Sequence, residues 1–150
     1  MPTDNVLITD LAATTELARK IAPVLDTGDV LALEGELGTG KTEFVRALLH
    51  VLGFEGEVPS PTFTLLQTYE VGGRFLSHFD LYRLKSDKEL DELGWEDALA
   101  HGVTLVEWPE RAGNRLPKER LCLNFVLEKD GARRCFIRMT ERWKERLGGF

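Results

Sequence analysis

Gly35-Glu36-Leu37-Gly38-Thr39-Gly40-Lys41-Thr42 satisfies the phosphate-loop pattern G-x-x-x-x-G-K-[ST] at every required position. Its glycines let the backbone curl until successive N–H groups face one concavity, since a residue without Cβ reaches left-handed φ/ψ values at low cost. In such a loop Lys41 bridges the β- and γ-phosphates as a point charge, and the Thr42 hydroxyl ligates Mg²⁺. The flanks agree. Val30-Leu31-Ala32-Leu33 reads as a short buried strand, and Glu43 to Leu52 as a helix ending at Gly53. The positive end of that helix lies where phosphate would sit. A chance glycine-rich turn accounts for the loop but not for the strand and helix around it. The stretch predicts a nucleotide-phosphate site.

A chain of 150 residues holds one well-buried domain and is short for two. The hydrophobic fraction of 43% and charged fraction of 29% belong to a soluble globular class. No signal-peptide pattern and no membrane-length apolar run is present, so the default expectation is a cytoplasmic protein with no membrane association. Cys122 and Cys135 lack metal-ligand spacing. The alternation of Leu121, Leu123, Phe125 and Leu127, and of Cys135, Ile137 and Met139, points the two thiols to opposite faces and argues against a disulfide. A net charge of −6 argues against independent nucleic-acid binding, which clustered Lys and Arg supply. Asp87 to Asp97 is acidic, while Arg133, Arg134, Arg138, Arg142, Lys144 and Arg146 crowd the C-terminus. These segments are either solvated surface or docking surfaces for a protein or RNA.

Thr14 to Leu25 has helical spacing at Leu17, Ala18, Ile21 and Leu25. Gly53 to Pro61 reads as loop, and Phe63 to Val71 and Arg74 to Leu81 as strands joined by Gly72-Gly73. Ser86-Asp87-Lys88-Glu89 is a capping-box pattern opening a helix that Gly94 weakens; a second piece from Trp95 to Ala100 closes at a left-handed Gly102. Val103 to Val106 is another buried strand, Pro109 to Pro117 is loop, and two final strands flank Asp130-Gly131. Residues 141–150 read as a charged tail. The expected fold is α/β: a single P-loop nucleotidase domain over residues 1–150, three-layered, with a mixed parallel and antiparallel sheet.

A P-loop nucleotidase needs an acid at the end of a buried strand, holding Mg²⁺ directly or through water. Glu107 follows the fully apolar-framed strand Val103 to Val106. Asp80 follows Phe75 to Phe79, a half-polar run more like a hairpin edge than a sheet centre. One would ligate metal and the other orient the attacking water, unless either is an ordinary surface carboxylate. Ser60-Pro61-Thr62-Phe63 stands where many P-loop proteins carry a first switch loop; Thr62 is then a candidate for the metal or γ-phosphate, and a proline-stiffened connector is the alternative. His50, His78 and His101 read as ordinary polar residues, Trp95 and Trp143 as packing, and Trp108 as core or as a neighbour of the nucleotide. No Asn-Lys-x-Asp motif for guanine is present, and Asp80-Leu81-Tyr82-Arg83 is not the Asp-x-x-Gly of a GTPase switch. A small-molecule or nucleotide kinase remains the alternative, although no Arg-rich lid is evident.

Gly35 to Thr42, Ser60 to Phe63, His78-Phe79-Asp80-Leu81-Tyr82-Arg83 and Val106-Glu107-Trp108-Pro109-Glu110 occur in that order. This series resembles the bacterial TsaE (YjeE) family, ATPases of tRNA threonylcarbamoyladenosine biosynthesis, from about Asp10 to about Thr140. The resemblance implies a protein that binds ATP and Mg²⁺ and hydrolyses ATP weakly when alone. Its implied partners are the TsaD and TsaB proteins, which threonylcarbamoylate adenosine 37 of tRNAs reading codons that begin with A. Contact with tRNA itself is expected to be weak or indirect. Carried over by position, Leu37, Gly38, Thr39, Gly40 and Lys41 hold phosphate, and Thr42 and Glu107 ligate Mg²⁺. Asp80 supports hydrolysis, Thr62 belongs to the switch loop, and Trp108 and Arg133 approach the nucleotide. Glu43 departs from the family, where many members have Thr. A carboxylate facing phosphate is repelled, so Glu43 is expected to turn outward.

Overall fold

The apolar run at Val30 forms the middle of a seven-stranded sheet in the computed structural model, which describes residues 3–61 and 64–150. In chain order the strands are β1 (Thr3–Ile8), β2 (Val30–Glu34), β3 (Leu66–Val71), β4 (Arg74–Asp80), β5 (Val103–Glu107), β6 (Leu121–Leu127) and β7 (Arg133–Arg138). The helices are α1 (Leu11–Ile21), α2 (Lys41–Val51), α3 (Glu89–Glu92), α4 (Trp95–His101) and α5 (Glu141–Leu147). Spatial order is β1-β7-β6-β2-β5-β4-β3. The pairs β6–β2, β2–β5 and β5–β4 are parallel, whereas β3–β4, β6–β7 and β1–β7 are antiparallel. A parallel centre with antiparallel flanks is the mixed sheet expected from an α/β pattern carrying two hairpins.

Alternation along the central strands produces the three layers. Leu31, Leu33, Leu105, Leu121 and Leu123 face one side, where they pack with Leu17, Ala18 and Ile21 of α1 and Phe44, Val45, Leu48 and Leu49 of α2. Val30, Phe79 and Val106 face the other, against Leu90 of α3 and Trp95 of α4. Burial on both faces is why these strands read as continuous apolar runs. Both cysteines are free and buried; Cys135 lies opposite Phe125 across β6–β7, and Cys122 opposite Arg138, so they do sit on opposite faces.

Several elements differ from the sequence expectation. Residues 3–8, which carry no strong strand signal in sequence, form β1 by adding to the edge of β7. α1 begins at Leu11 because Asp10 caps it, its Oδ1 accepting the Ala13 N–H at 2.9 Å. β4 is not an edge: it lies between β3 and β5, with His78 and Asp80 buried at its C-terminal half. Pro109–Arg115 winds as 3₁₀ turns interrupted at Gly113. The supposed tail holds α5, capped by Thr140 and anchored by Trp143, which is 2% exposed. The buried indole and the Arg146–Asp29 ion pair fix this short helix, which has no periodic apolar pattern in sequence. Gly102 is extended (φ −161°) rather than left-handed. It is required for space, since a Cβ there would lie 2.4 Å from the Phe75 carbonyl oxygen. The hairpin turn does follow expectation, with Gly72 and Gly73 both at positive φ, as a type I′ turn demands.

No helix among the described residues is long and apolar enough to cross a membrane. Gly102→Ala is expected to destabilise the fold by about 1–3 kcal/mol, the usual cost of forcing a methyl into packed backbone, measurable by urea unfolding. Burial pushes the Cys135 thiol up to about 12, so it stays protonated at pH 8. A thiol reagent at that pH should leave Cys135 unmodified in the native protein and label it in urea.

Candidate nucleotide-phosphate site

Register across the parallel centre builds the floor of the site. Leu33 of β2 pairs with Glu107 of β5, and Glu107 pairs with Asp80 of β4. The C-terminal ends of three neighbouring strands therefore finish in one row, the place where open α/β sheets bind ligands. Asp80 and Glu107 share the pleat face of His78 and Leu105, which is the face that α2 covers. The chain leaves β2 through Gly35 (φ +139°), Gly38 (φ +78°) and Gly40 (φ +109°), then enters α2 at Lys41. Gly35 also needs its missing Cβ, which would lie 2.6 Å from the Phe125 carbonyl oxygen. Thr39 tightens the loop by donating its hydroxyl to the Glu36 carbonyl at 2.7 Å.

Three charged side chains meet above this floor. Lys41, Asp80 and Glu107 are 4%, 4% and 3% exposed. The Lys41 ammonium donates to the Gly35 carbonyl at 2.5 Å and lies 4.0 Å from the centre of the Trp108 ring. Desolvation by burial lowers the Lys41 pKa, opposed by the charges of Glu107, Asp80, Glu110 and Glu36, and the net direction is downward. Thr42 donates its hydroxyl to Glu107 Oε2 at 3.2 Å. The same oxygen lies 2.6 Å from His78 Nε2. Asp80 Oδ1 accepts the Tyr82 N–H at 3.1 Å, fixing the carboxylate where β4 ends.

The cleft over these groups is lined by Leu37, Gly38, Gly40, Lys41, Thr42, Glu43, Arg46, Ser60, Asp80, Glu107 and Trp108. Trp108 sits in the left-handed region (φ 57°) and packs on Tyr82 with ring centres 5.0 Å apart. Arg133 comes from β7 on the far side of the loop and donates Nη2 to the Gly38 carbonyl at 3.0 Å. Leu37 projects from the loop, 67% exposed. Glu43 does not turn out to solvent as expected; it is half-buried and lines the cleft, where the positive end of α2 favours an acid in the first helical turn. Thr62 lies outside the described residues. Sequence reasoning missed two residues here. Arg46 lines the cleft while donating to the Val58 carbonyl at 3.0 Å, and its signal was its place one turn beyond Thr42. His78 is wholly buried against Glu107, and its signal was the His-x-Asp spacing that puts both residues on one strand face.

The donor set suits a hard divalent cation. Thr42 and Glu107 offer hydroxyl and carboxylate oxygens in hydrogen-bond contact, with Asp80 next to them in register. Among the described residues no group of three or more His, Cys, Asp or Glu is arranged to hold a metal alone. Such a site matches Mg²⁺, which takes one or two protein oxygens and completes its shell with phosphate and water. The loop lies where phosphate would be held: Leu37, Gly38, Gly40, Lys41 and Thr42 line one cleft at the start of α2, whose positive end favours an anion.

The sequence profile described as "Threonylcarbamoyl adenosine biosynthesis protein TsaE" matches residues 8–135. The tRNA threonylcarbamoyladenosine biosynthesis protein TsaE of Rickettsia felis is 40% identical over 125 residues, covering 83% of this chain and 73% of that protein. Its Bacillus subtilis counterpart is 41% identical over 119 residues, covering 79% and 73%. The crystal structure of Bacillus subtilis YdiB superposes with a TM-score of 0.79 at 31% identity, covering 96% of this chain and 90% of that one. With profile, sequences and fold in agreement over most of its length, the chain belongs to the TsaE family.

Proposed function

We propose that this chain is a Mg²⁺-dependent ATP-binding protein that hydrolyses ATP slowly by itself. Its turnover serves the threonylcarbamoylation of adenosine 37 in tRNA, together with TsaD- and TsaB-type partners. The observation that carries the reading is the convergence of Lys41, Thr42, Asp80 and Glu107 at three adjacent strand ends under the glycine loop. Family membership supports the pathway assignment.

In this reading the amides of Leu37 to Gly40 and the Lys41 ammonium bind the phosphates, and the start of α2 adds its partial positive charge. Thr42 and Glu107 would hold Mg²⁺, which when bound neutralises charge on the β- and γ-phosphate oxygens. Asp80, buried directly beside Glu107 as its register partner on the adjacent strand, orients the attacking water and accepts hydrogen bonds from it. Trp108 covers the ammonium and limits water around it. Weak solitary turnover accords with the acidic surroundings, because Glu36, Glu43, Glu107 and Glu110 stand near the site and a partner's cation would offset them. The C-terminal arginines support an indirect role for tRNA. Arg134 pairs with Glu128, Arg138 with Glu34 and Arg146 with Asp29, so much of that positive charge is neutralised within the chain.

Lys41→Ala should weaken ATP binding about tenfold to a hundredfold, the usual worth of a charge-assisted bond, measured by calorimetry. Asp80→Asn should keep nucleotide affinity within a few-fold and reduce phosphate release by about 10²-fold or more in single-turnover assays. Glu43→Thr should tighten ATP binding about fivefold, the result of removing a like charge at the cleft wall. ATPase assays with and without the partner transferase decide the reading as a whole. Slow phosphate release that the partner accelerates supports it, and rapid γ-phosphate transfer to a small molecule replaces it with a kinase.

A further inference from the structure

Among the described residues the His78 side chain has one hydrogen-bond partner, Glu107. The imidazole is fully buried on β4, its Nε2 lies 2.6 Å from Glu107 Oε2, and its Nδ1 has no hydrogen-bond partner among the described residues. Leaving a buried ring nitrogen unsatisfied is costly, and an apolar side chain of similar shape would avoid that cost. The ring is retained against this penalty by what Nε2 does. A carboxylate only accepts hydrogen bonds, so contact at this distance requires a proton on Nε2.

We propose that His78 is a positioning residue for divalent-cation binding: it fixes the Glu107 carboxylate in the orientation from which that group and Thr42 take the metal beside the nucleotide. The inference rests on the ATP–Mg²⁺ reading above. The geometry supports it in two ways. Glu107 Oε2 receives both donors, Nε2–H of His78 at 2.6 Å and the Thr42 hydroxyl at 3.2 Å, which leaves Oε1 to the cation. The strand register then places His78 beside Leu105, one pleat below Glu107, so the imidazole braces the carboxylate from inside the core while the phosphate loop lies above. A braced ligand loses little rotational freedom when metal binds, and outer-shell partners of this kind are worth about 10–100-fold in metal affinity.

The test compares affinity for a fluorescent ADP analogue in Mg²⁺ with that in EDTA, for wild type, His78→Leu and His78→Gln, with thermal melts alongside. A Gln amide reaches Oε2 from the same position as Nε2, whereas Leu fills the space without a donor. The Mg²⁺-to-EDTA affinity ratio should fall about tenfold in His78→Leu and return to within threefold of wild type in His78→Gln. A purely structural role would lower the melting temperature and both affinities together, leaving the ratio at its wild-type value, and that result overturns the proposal. Absence of any Mg²⁺ effect in wild type would instead defeat the ATP–Mg²⁺ reading and the inference with it. Should His78→Leu fail to fold, long-range ¹H–¹⁵N spectra of the wild-type imidazole decide. A proton on Nε2 supports the brace, and a bare Nε2 overturns it.

Discussion

Lys41, Asp80 and Glu107 can be buried only together. Removing any one ion of this size from water costs several kcal/mol even after the protein relaxes, so each is tolerable because opposite charge lies close by. Much of the architecture answers that requirement. Parallel pairing of β5 between β2 and β4 brings the two carboxylates side by side, and the glycine loop lets α2 begin directly over them so that Lys41 reaches inward. The site is thus a consequence of sheet order, not of a loop conformation added afterwards.

The glycine loop was legible because its pattern is dictated by backbone sterics, and the central strands because burial on both faces writes them as apolar runs. The mixed sheet followed from Gly72-Gly73 and Asp130-Gly131, turn sequences that mark hairpins. What stayed hidden depends on tertiary partners. β1 exists as a strand through its pairing with β7, and α5 is held by Trp143 and by Arg146 reaching Asp29, a residue distant in sequence. The centrality of β4 was obscured because its polar residues His78 and Asp80 belong to the site, and a site strand loses the apolar signature used to recognise a buried one. Glu43 follows the same logic: repulsion from phosphate favours an outward carboxylate, but the favourable field at the helix N-terminus accepts it at the cleft wall.

The arginines near the C-terminus illustrate how composition can mislead about partners. Clustered in sequence, they disperse in space: Arg134 pairs with Glu128 within its own hairpin and with Asn5 of β1, while Arg133 reaches Gly38, Arg138 reaches Glu34, and Arg146 reaches Asp29 and Val24. They tie the last strand and helix to the sheet and the phosphate loop. A run of basic residues here serves largely as internal cross-linking.

Strand register also governs where this chain tolerates changes in length. Side chains alternate faces, so one residue inserted within β4 or β5 would turn Asp80 or Glu107 from the α2 side to the α3 and α4 side. Insertions in the Gly72-Gly73 turn leave the register of β4 against β5 unchanged, whereas residues 128–132 lead into Arg133, which reaches the phosphate loop. Room for a change in length therefore lies at the β3–β4 hairpin tip, while the interior strands must keep a fixed count of residues to hold Asp80 and Glu107 in the site.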